Sequence, residues 1–419
     1  MKNSSFNSNG RGGFAAQHAR SSGCSRRAFL GWGTALAAGA PFALSYAREV
    51  LAAEANTASA IIPAARLAEA KVAIVACKSY GPEVKAALKQ SFDLLGGIGS
   101  LVKNKTVTVK LNLTGTNFSP VFDLPVGESY MTHPSTALAL TALLFEAGAK
   151  RVRLVESTQS RAELESTIGL ADWDVNALAA MGKVEFENTR NLGKSDRYSH
   201  LRVPTGGYMF SSFEFNHSYE QTDVMVSLAK LKQHITAGVT LSMKNLFGLT
   251  PNALYGDEAG NEDATAGRGP LHGGDNPAQR DRFQKLNLPG LKKSDIPKQA
   301  GARVPRIVAD ICAARPIHLA IIDGITSMSG GEGPWCRDAA PLKLTKPGVI
   351  IAGLNPVSTD AVGTAVMGYA NPRAARGTHP FDHCDNHLLL AEQAGVGTAD
   401  LGKIDVRGLP IAKAIYPYG

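Results

Sequence analysis

Residues 230–248 read KLKQHITAGVTLSMKNLFG and bring together three lysines and a histidine. If the chain is helical from Thr236 onward, Thr236, Thr240 and Lys244 share one polar stripe, because residues four apart lie on the same helix face. His234 then directly precedes the helix, where unpaired backbone N–H groups favour an anion. The segment predicts a pocket for a carboxylate or phosphate, with acid/base chemistry at His234. The alternative is an amphipathic helix beside a surface histidine. The positive charges of the predicted pocket come from Lys230, Lys232 and Lys244.

A second group of histidines lies in residues 379–387, which read HPFDHCDNH. His379, His383 and His387 are four residues apart, so on a helix they would line one face, a spacing that can hold Zn²⁺, Ni²⁺ or Fe²⁺. Pro380 permits a helix to begin there but no earlier. We therefore take the three histidines as metal-ligand candidates, and a polar loop without metal is the alternative.

A glycine-rich stretch, residues 329–334 (SGGEGP), follows Asp323-Gly324 at a predicted strand end. Backbone N–H groups of such a loop can cradle an anion, although a simple turn explains the same residues. His272, beside two glycines, is a weaker candidate. No nucleophile elbow, H-E-x-x-H or Walker motif occurs, which argues against an esterase, a zinc protease and an NTPase.

The elements that must position these residues alternate between strand and helix. Apolar and β-branched runs predict strands at 71–76, 106–111, 152–155, 224–228, 318–322 and 348–351. Apolar residues at helical spacing, or the surrounding pattern, predict helices at 83–95, 134–147, 358–367 and 386–394. Pro134 suits the first turn of its helix, and Gly148 suits its C-terminal cap. The order predicts an α/β fold with a mostly parallel sheet flanked by helices.

Polar side chains follow several of the predicted strands. Ligands of parallel α/β folds gather at the carboxyl ends of the strands, although each residue taken alone also has a purely structural explanation. Residues 252–304 form a long polar insertion with little apolar periodicity, which predicts either a lid over the site or a surface loop. The substrate-binding candidates at the strand ends are Lys110, Asn112, Glu156, Lys230, Lys232 and Asp323.

Composition limits the classes of protein that need consideration. The chain has 419 residues, of which 44% are hydrophobic and 19% charged. These values exclude a collagen-like chain, a small disulfide-stapled module and an intrinsically disordered protein. Half of the net charge of +8 comes from residues 1–55, and the other basic residues are scattered, whereas a nucleic-acid groove needs a clustered stripe. We expect no nucleic-acid partner.

The N-terminus has the three parts of an export signal. The pair Arg26-Arg27 precedes Phe-Leu, an apolar run follows at 31–44, and an A-x-A site lies at 53–55. The arginine pair resembles a twin-arginine signal, and the apolar run is shorter than the roughly 20 residues of a membrane span. We expect export to the periplasm by the twin-arginine machinery, with no membrane span in the mature protein. The expected organisation is a signal peptide at 1–55, a linker at 56–70 and an α/β domain at 71–419.

Four cysteines belong to the expected domain: Cys77, Cys312, Cys336 and Cys384. They form no C-x-x-C pair, so the sequence offers no local motif for an iron–sulfur cluster or a cysteine-rich zinc site. In an oxidising periplasm, one or two disulfides could form among them.

Several segments of the chain resemble the DUF362 family. The resemblance spans most of residues 71–400 and implies that the α/β domain is of this type. Family members associated with iron–sulfur proteins carry ferredoxin-like cysteine clusters, which this sequence lacks, and that argues against an iron–sulfur-linked redox partner. The matching segments are VKLNL (109–113), the stretch 132–157, KLKQHITAGVTLSMKNLFGL (230–249), LAIIDGI (319–325) and GLNPVSTDAVG (353–363).

The pattern from His234 to Lys244, H-x-x-A-G-x-T-x-x-x-K, is similar to the H-x-x-A-G-x-S-x-x-x-K stretch of the nickel-pincer lactate racemase family. The resemblance implies that Lys244 attaches a cofactor, that His234 is a catalytic acid/base and that His133 is a second proton shuttle. A metal or nickel-pincer-like cofactor loaded before export would fit the twin-arginine route. The sequence thus predicts an enzyme for a small anionic or hydroxy-acid-like substrate, with a periplasmic binding or carrier module as the alternative.

Overall fold

An eight-stranded sheet lies at the centre of the computed structural model, which describes residues 69–114, 118–273, 285–294 and 296–419. These residues belong to the compact unit formed by 59–419. The predicted signal peptide and nearly all of the predicted linker lie outside the described residues. With strands numbered in chain order, the spatial order is β14 (Asp405–Gly408), β1 (Lys71–Ala76), β13 (Val349–Gly353), β10 (Leu319–Gly324), β7 (Val224–Lys230), β2 (Thr106–Lys110), β3 (Arg151–Glu156) and β4 (Val184–Asn188).

Seven of these strands run in one direction, and β13 runs against them between β1 and β10. The predicted mostly parallel sheet is therefore confirmed. Alternate residues of the central strands enter two separate apolar cores: Ile322 and Ile351 enter one, whereas Ile321 and Ile350 enter the other. This alternation follows from the two-residue period of a strand, and it explains why both faces of the sheet are covered.

Helices form a layer on each face of the sheet. Apolar residues of the first five helices join one core, and those of the later helices join the other. The first layer contains α1 (Glu83–Leu94), α2 (Gly99–Val102), α3 (Pro134–Glu146), α4 (Leu164–Gly169) and α5 (Val175–Ala180). The second contains α6 (Leu241–Asn245), α7 (Asn252–Tyr255), α8 (Gly269–His272), α9 (Ala300–Ala314), α10 (Pro356–Val366), α11 (His387–Gln393) and α12 (Ile411–Ala414).

The start and end signals predicted for α3 are confirmed. Pro134 is its first residue, and the His133 side chain caps it by accepting a hydrogen bond from the Ser135 backbone N–H over 3.1 Å. Gly148 follows the helix with a φ of 93°, in the left-handed region that glycine adopts without steric cost. The helix therefore ends where the chain must turn into β3.

The helix predicted from Thr236 onward is wrong. The chain instead forms an antiparallel hairpin of β8 (Gln233–His234) and β9 (Gly238–Val239), and α6 begins only at Leu241. Gly238 has a φ of 73°, which interrupts a right-handed helix, and a Cβ there would lie 2.7 Å from the Phe381 ring. Two further small hairpins pair β5 (Ser199–Arg202) with β6 (Ser212–Phe215) and β11 (Ser327–Ser329) with β12 (Lys343–Thr345).

The four cysteines within the described ranges are buried and carry free thiols, so the disulfides considered from the sequence are not formed. None of the helices in the described ranges is long and apolar enough to cross a membrane. The buried cysteines are Cys77, Cys312, Cys336 and Cys384.

Candidate functional site

A cavity of about 550 Å³ opens at the carboxyl ends of the parallel strands. Its floor comes from β2, β3 and the segment after β7, one wall from α6, and another from α8 in the insertion. Ile235 and Trp335 lie at its edge with 46% and 45% of their surface exposed. The charged and imidazole side chains that line it are Lys110, Glu156, Lys232, His234, Lys244, Arg268, His272 and Glu332.

Lys110 and Glu156 form a buried ion pair on the floor of the cavity. Their Nζ and Oε1 atoms lie 2.5 Å apart, and both side chains are almost fully buried. The carboxylate also accepts hydrogen bonds from the backbone N–H groups of Leu113, at 2.7 Å, and Ser157, at 2.9 Å. Each charge of this pair is therefore compensated within the chain, and little of it remains for a ligand.

Lys232 is held entirely by neutral acceptors. Its Nζ donates to Asn112 Oδ1 at 3.0 Å and to the backbone carbonyls of Tyr130, at 2.6 Å, and Glu332, at 3.1 Å. Burial lowers the pKa of Lys232 to about 7, against the opposing effect of Glu332, with Lys230 and Lys244 lowering it further. When protonated, this side chain contributes positive charge without a carboxylate in hydrogen-bond contact.

Two imidazoles, the buried ring of His234 and the half-buried ring of His272, face each other in the cavity. Their rings are nearly parallel, at 9°, with centroids 6.2 Å apart. Burial, reinforced by the charge of Lys244, lowers the pKa of both rings well below 6.5, so both are neutral at physiological pH. Neutral imidazoles carry one N–H and one lone pair each, and the hydrogen bonds of each ring determine which nitrogen has which.

The two histidines hold opposite tautomers. His234 Nδ1 accepts from the Thr236 backbone N–H at 3.1 Å, which leaves the proton of that ring on Nε2. His272 Nδ1 lies 3.2 Å from the Arg268 carbonyl, which can only accept, so its proton is on Nδ1 and its lone pair is on Nε2. The cavity therefore offers one imidazole donor and one imidazole acceptor.

Lys244 is the least restrained of the cavity lysines. Its Nζ lies 3.5 Å from His272 Nε2 and 4.2 Å from the centroid of the Phe247 ring. Burial lowers the pKa of Lys244 to about 7; Glu332 opposes this effect, and Arg268 and Lys110 add to it. The ammonium and amine forms are thus both populated near neutral pH.

The N-terminus of α6, the helix that contains Lys244, is already occupied by a carboxyl group of this chain. The Asp360 carboxylate accepts from the backbone N–H groups of Ser242, at 2.9 Å, and Met243, at 2.8 Å, and from the Ser242 hydroxyl at 2.5 Å. The expectation that free backbone N–H groups there bind the ligand is wrong, because Asp360 occupies them. Asp360 instead fixes the position of the helix and of Lys244.

The insertion supplies cavity residues that sequence reasoning missed or ranked low. Arg268 donates from Nε to the Thr250 carbonyl at 2.6 Å and from Nη2 to the Gly248 carbonyl at 3.3 Å. Burial lowers its pKa to about 10, so it stays charged at physiological pH. No periodicity or motif marks Arg268, and only the adjacent glycines drew attention to His272.

Glu332, in the glycine-rich stretch, is another missed residue. Its Oε2 accepts from the Ile235 backbone N–H at 3.1 Å and lies 3.9 Å from His234 Nδ1. Its Oε1 accepts from Trp335 Nε1 at 3.3 Å. The stretch predicted to cradle an anion with backbone amides therefore contributes a carboxylate to the cavity instead.

Three of the predicted catalytic and substrate-binding residues do not line the cavity. Lys230 Nζ donates to the Tyr80 hydroxyl at 2.7 Å and the Gly127 carbonyl at 2.9 Å, and it lies 3.3 Å from Asp323. His133 stacks on the Tyr80 ring with centroids 3.6 Å apart while it caps α3. Lys230, Asp323 and His133 thus belong to a neighbouring polar cluster that ties β7, β10 and α3 together.

The three histidines predicted to bind a metal are not brought together by a helix. His379 is exposed and pairs with Asp382 at 2.7 Å, His383 is exposed, and α11 begins only at His387, which is fully buried. The spacing argument fails because the residues before His387 are not helical. Within the described ranges, no group of three or more histidine, cysteine, aspartate or glutamate side chains is arranged to hold a metal ion.

Comparison with known proteins identifies the family. The model of the domain of unknown function DUF362 matches residues 107–365, more than half of the chain. The chain belongs to the DUF362 family. The matched region contains all the cavity side chains named above. The chain is similar to the thylakoid-associated protein sll1697 of Synechocystis sp. The two sequences are 29% identical over 189 residues, which make up 44% of this chain. The chain spans about half, 51%, of the length of that relative.

Proposed function

We propose that this DUF362 protein is an enzyme acting on a small carboxylate substrate of the hydroxy-acid or oxo-acid type. The observation that carries the proposal is the pair of neutral imidazoles of opposite tautomer, His234 and His272, in a cavity rich in positive charge. Perturbed titratable groups that converge in a cleft are a mark of functional sites.

Charge supports an anionic substrate. With Lys110 and Glu156 compensating each other, the remaining charged groups are Lys232, Lys244 and Arg268 against Glu332. A bound carboxylate would favour the protonated forms of Lys232 and Lys244, because an opposite charge raises the pKa of a lysine. The volume of about 550 Å³ is within the range of small-molecule sites.

The imidazoles define the chemistry. His272 Nε2 presents a lone pair that can accept a proton from a substrate C–H, O–H or N–H group. The nearby Glu332 carboxylate stabilises the positive charge that His272 then carries. His234 Nε2–H is a neutral donor that can hydrogen-bond to an oxygen on which negative charge develops. In this arrangement His272 is the base, and His234 is the electrophile rather than the catalytic acid/base expected from the sequence.

A metal or nickel-pincer-like cofactor remains a prediction from the sequence. The donors in the cavity that suit a transition metal best are two imidazoles. Among the described residues, no group of three or more histidine, cysteine, aspartate or glutamate side chains is arranged to hold a metal ion. The residues present therefore do not fit a preformed metal centre, and no chemical step is assigned to one. Mass and metal analysis of protein purified from its host would detect an adduct on Lys244 or a bound ion.

The experiment that tests the proposal is proton NMR of a panel of small 2-hydroxy and 2-oxo carboxylates incubated with the protein in D₂O. We expect binding and exchange of a C–H proton for at least one compound. His272→Asn should retain binding and lower the exchange rate by about 10²- to 10⁴-fold, the usual contribution of a general base. His200→Asn, which changes an exposed histidine on β5, is the matched control.

The outcomes separate the two functions considered from the sequence. Binding without any exchange or turnover would favour the binding or carrier module. Absence of both binding and exchange across the panel would refute a carboxylate site altogether. A rate that falls equally in His200→Asn and His272→Asn would show that the loss comes from the fold rather than from the base.

We also propose that the protein is exported through the twin-arginine route. The support is the Arg26-Arg27 pair followed by a short apolar run, in a part of the chain outside the described residues. Cell fractionation of the host should find the protein in the periplasm, and replacement of both arginines by lysine should retain it in the cytoplasm. Equal export of the two forms would refute this assignment.

A further inference from the structure

We propose that Lys244 is a nucleophile that forms an imine with the carbonyl carbon of a small 2-oxo acid bound in the cavity. The inference rests on the proposed carboxylate site and goes beyond it by naming the reacting atom and the substrate class. The evidence is that the Lys244 ammonium group has fewer hydrogen-bond partners among the described residues than the other buried lysines around the cavity.

Three buried lysines are fixed by strong acceptors. Lys110 pairs with Glu156 and donates to the Leu111 carbonyl at 2.8 Å. Lys230 contacts a hydroxyl, a carbonyl and the Asp323 carboxylate. Lys232 donates to three oxygens. Because their N–H groups are used in these contacts, these three side chains are positioning and charge-bearing groups, poorly suited to attack a substrate.

Lys244 differs in both contacts and surroundings. Among the described residues, its Nζ has one hydrogen-bond partner, His272 Nε2, and that contact is long at 3.5 Å. Its Nζ also lies 4.2 Å from the centroid of the Phe247 ring, which offers no lone pair for a hydrogen bond, and the Lys244 side chain lines the cavity. A lysine desolvated in an apolar setting and placed beside other cations is activated as a nucleophile, because its neutral form is favoured.

The histidine beside Lys244 completes the reaction. The lone pair of the neutral amine forms the N–C bond, and the π electrons of the C=O group move to oxygen. The oxygen then takes up the proton that leaves nitrogen by way of His272 Nε2. The nitrogen lone pair next expels this oxygen as water, which carries away the second N–H proton. One amine and one carbonyl give one imine and one water, without an oxidant or a reductant.

The neighbouring cations select the substrate class. Arg268 is close enough for its charge to act on Lys244, and its guanidinium donates to the backbone carbonyls of Thr250 and Gly248. A 2-oxo acid places a carboxylate directly next to its reactive carbonyl, so both groups fit at once. His234 Nε2–H is the donor available to the carbonyl oxygen. A simple aldehyde lacks the charged group and should react less.

Reductive trapping tests this inference. The full chain is incubated with pyruvate or glyoxylate and sodium borohydride, and the modified lysines are mapped by peptide mass spectrometry. At pH 7 a lysine of ordinary pKa is neutral roughly once in 10³ to 10⁴ molecules, whereas the pKa of Lys244 is about 7. We expect labelling at Lys244 about 10³-fold faster than at Lys89, an exposed lysine on α1.

Variants distinguish the possible failures. Lys244→Arg should abolish the specific label, whereas Lys89→Arg should leave the label at Lys244 unchanged. Label spread evenly over surface lysines, or specific label that persists in Lys244→Arg, overturns the imine. If carboxylates bind and exchange protons while no label forms at residue 244, the imine falls and the proposed function stands. If carboxylates neither bind nor exchange, both fall.

Discussion

Replacing Lys244 by methionine should stabilise the folded protein at neutral and acidic pH. The side chain is only 7% exposed, and its pKa falls from 10.5 to about 7. At about 1.4 kcal/mol for each pKa unit, the charged form is disfavoured in the folded chain by roughly 4 to 5 kcal/mol. Methionine has a similar length and carries no charge, so up to about 4 kcal/mol of this cost should be recovered in Lys244→Met.

The stabilisation expected from Lys244→Met depends on pH. Below pH 7 the amine is protonated in both the folded and the unfolded chain, so the full cost is present. Between pH 7 and about 10.5 the folded amine is neutral while the unfolded one stays charged, so the unfolded chain binds more protons and the wild-type free energy of unfolding rises with pH. The advantage of Lys244→Met should therefore be largest at pH 6 and shrink toward pH 10.

Urea unfolding of both proteins at pH 6, 7, 8, 9 and 10, in a buffer without carboxylate or phosphate, measures this difference. Lys89→Met, at an exposed position paired with Asp93 on the surface of α1, should change the free energy of unfolding by no more than about 0.5 kcal/mol at every pH. The reasoning is refuted if Lys244→Met destabilises the protein at pH 6, since the buried ammonium would then be well compensated. A gain that is constant from pH 6 to 10 would refute it as well.

Three further predictions concern the cavity and its support. Carboxylate affinity, measured by calorimetric titration, should fall as pH rises through 7, because Lys232 and Lys244 lose their protons there. In the same titrations, Lys232→Met should weaken binding at pH 6 and have a smaller effect at pH 9. Asp360→Asn should lower the free energy of unfolding by about 1 to 3 kcal/mol, because an amide leaves one backbone N–H of α6 without an acceptor; an unchanged urea midpoint would contradict this. Reductant should leave the melting temperature of the protein unchanged, and a shift would show that a disulfide forms. The thiols concerned are Cys77, Cys312, Cys336 and Cys384.

The sheet and its flanking helices could be predicted from the sequence because each signal is local. Apolar runs mark the strands, and Pro134 and Gly148 mark the ends of α3. The strand-end rule also located Lys110, Asn112 and Glu156 correctly beside one cavity. Parallel strands place their carboxyl ends at one edge of the sheet, so the prediction that these side chains lie close together needed no knowledge of tertiary contacts.

The failures have a common physical cause, which is that long-range contacts decide them. Gly238 adopts a positive φ and packs against Phe381, far along the chain, so the amphipathic pattern after Thr236 does not become a helix. Lys230, two residues before Lys232, points away from the cavity. The Tyr80 hydroxyl accepts a hydrogen bond from its ammonium group, and the Asp323 carboxylate forms an ion pair with it. No local pattern announces either contact.

The insertion, residues 252–304, also contains site residues that local sequence patterns could not predict. Arg268 and His272 reach the cavity through a segment without apolar periodicity, so their place in the site follows from tertiary contacts alone. The segment from His234 to Lys244 nevertheless supplies both of its predicted residues to the cavity, by way of a hairpin and a short helix instead of one long helix. The composition of a segment can thus predict which of its residues line a cavity when its secondary structure is predicted wrongly.

The most direct test of the carboxylate cavity is a calorimetric titration of the wild-type protein with pyruvate at pH 7.5, where both lysines are partly deprotonated, repeated in two buffers of different ionisation enthalpy. The account predicts a single site with net uptake of protons, because the bound anion raises the pKa of Lys232 and Lys244. It also predicts a weaker site in Arg268→Met. The absence of binding, or binding that neither takes up protons nor depends on Arg268, would contradict it.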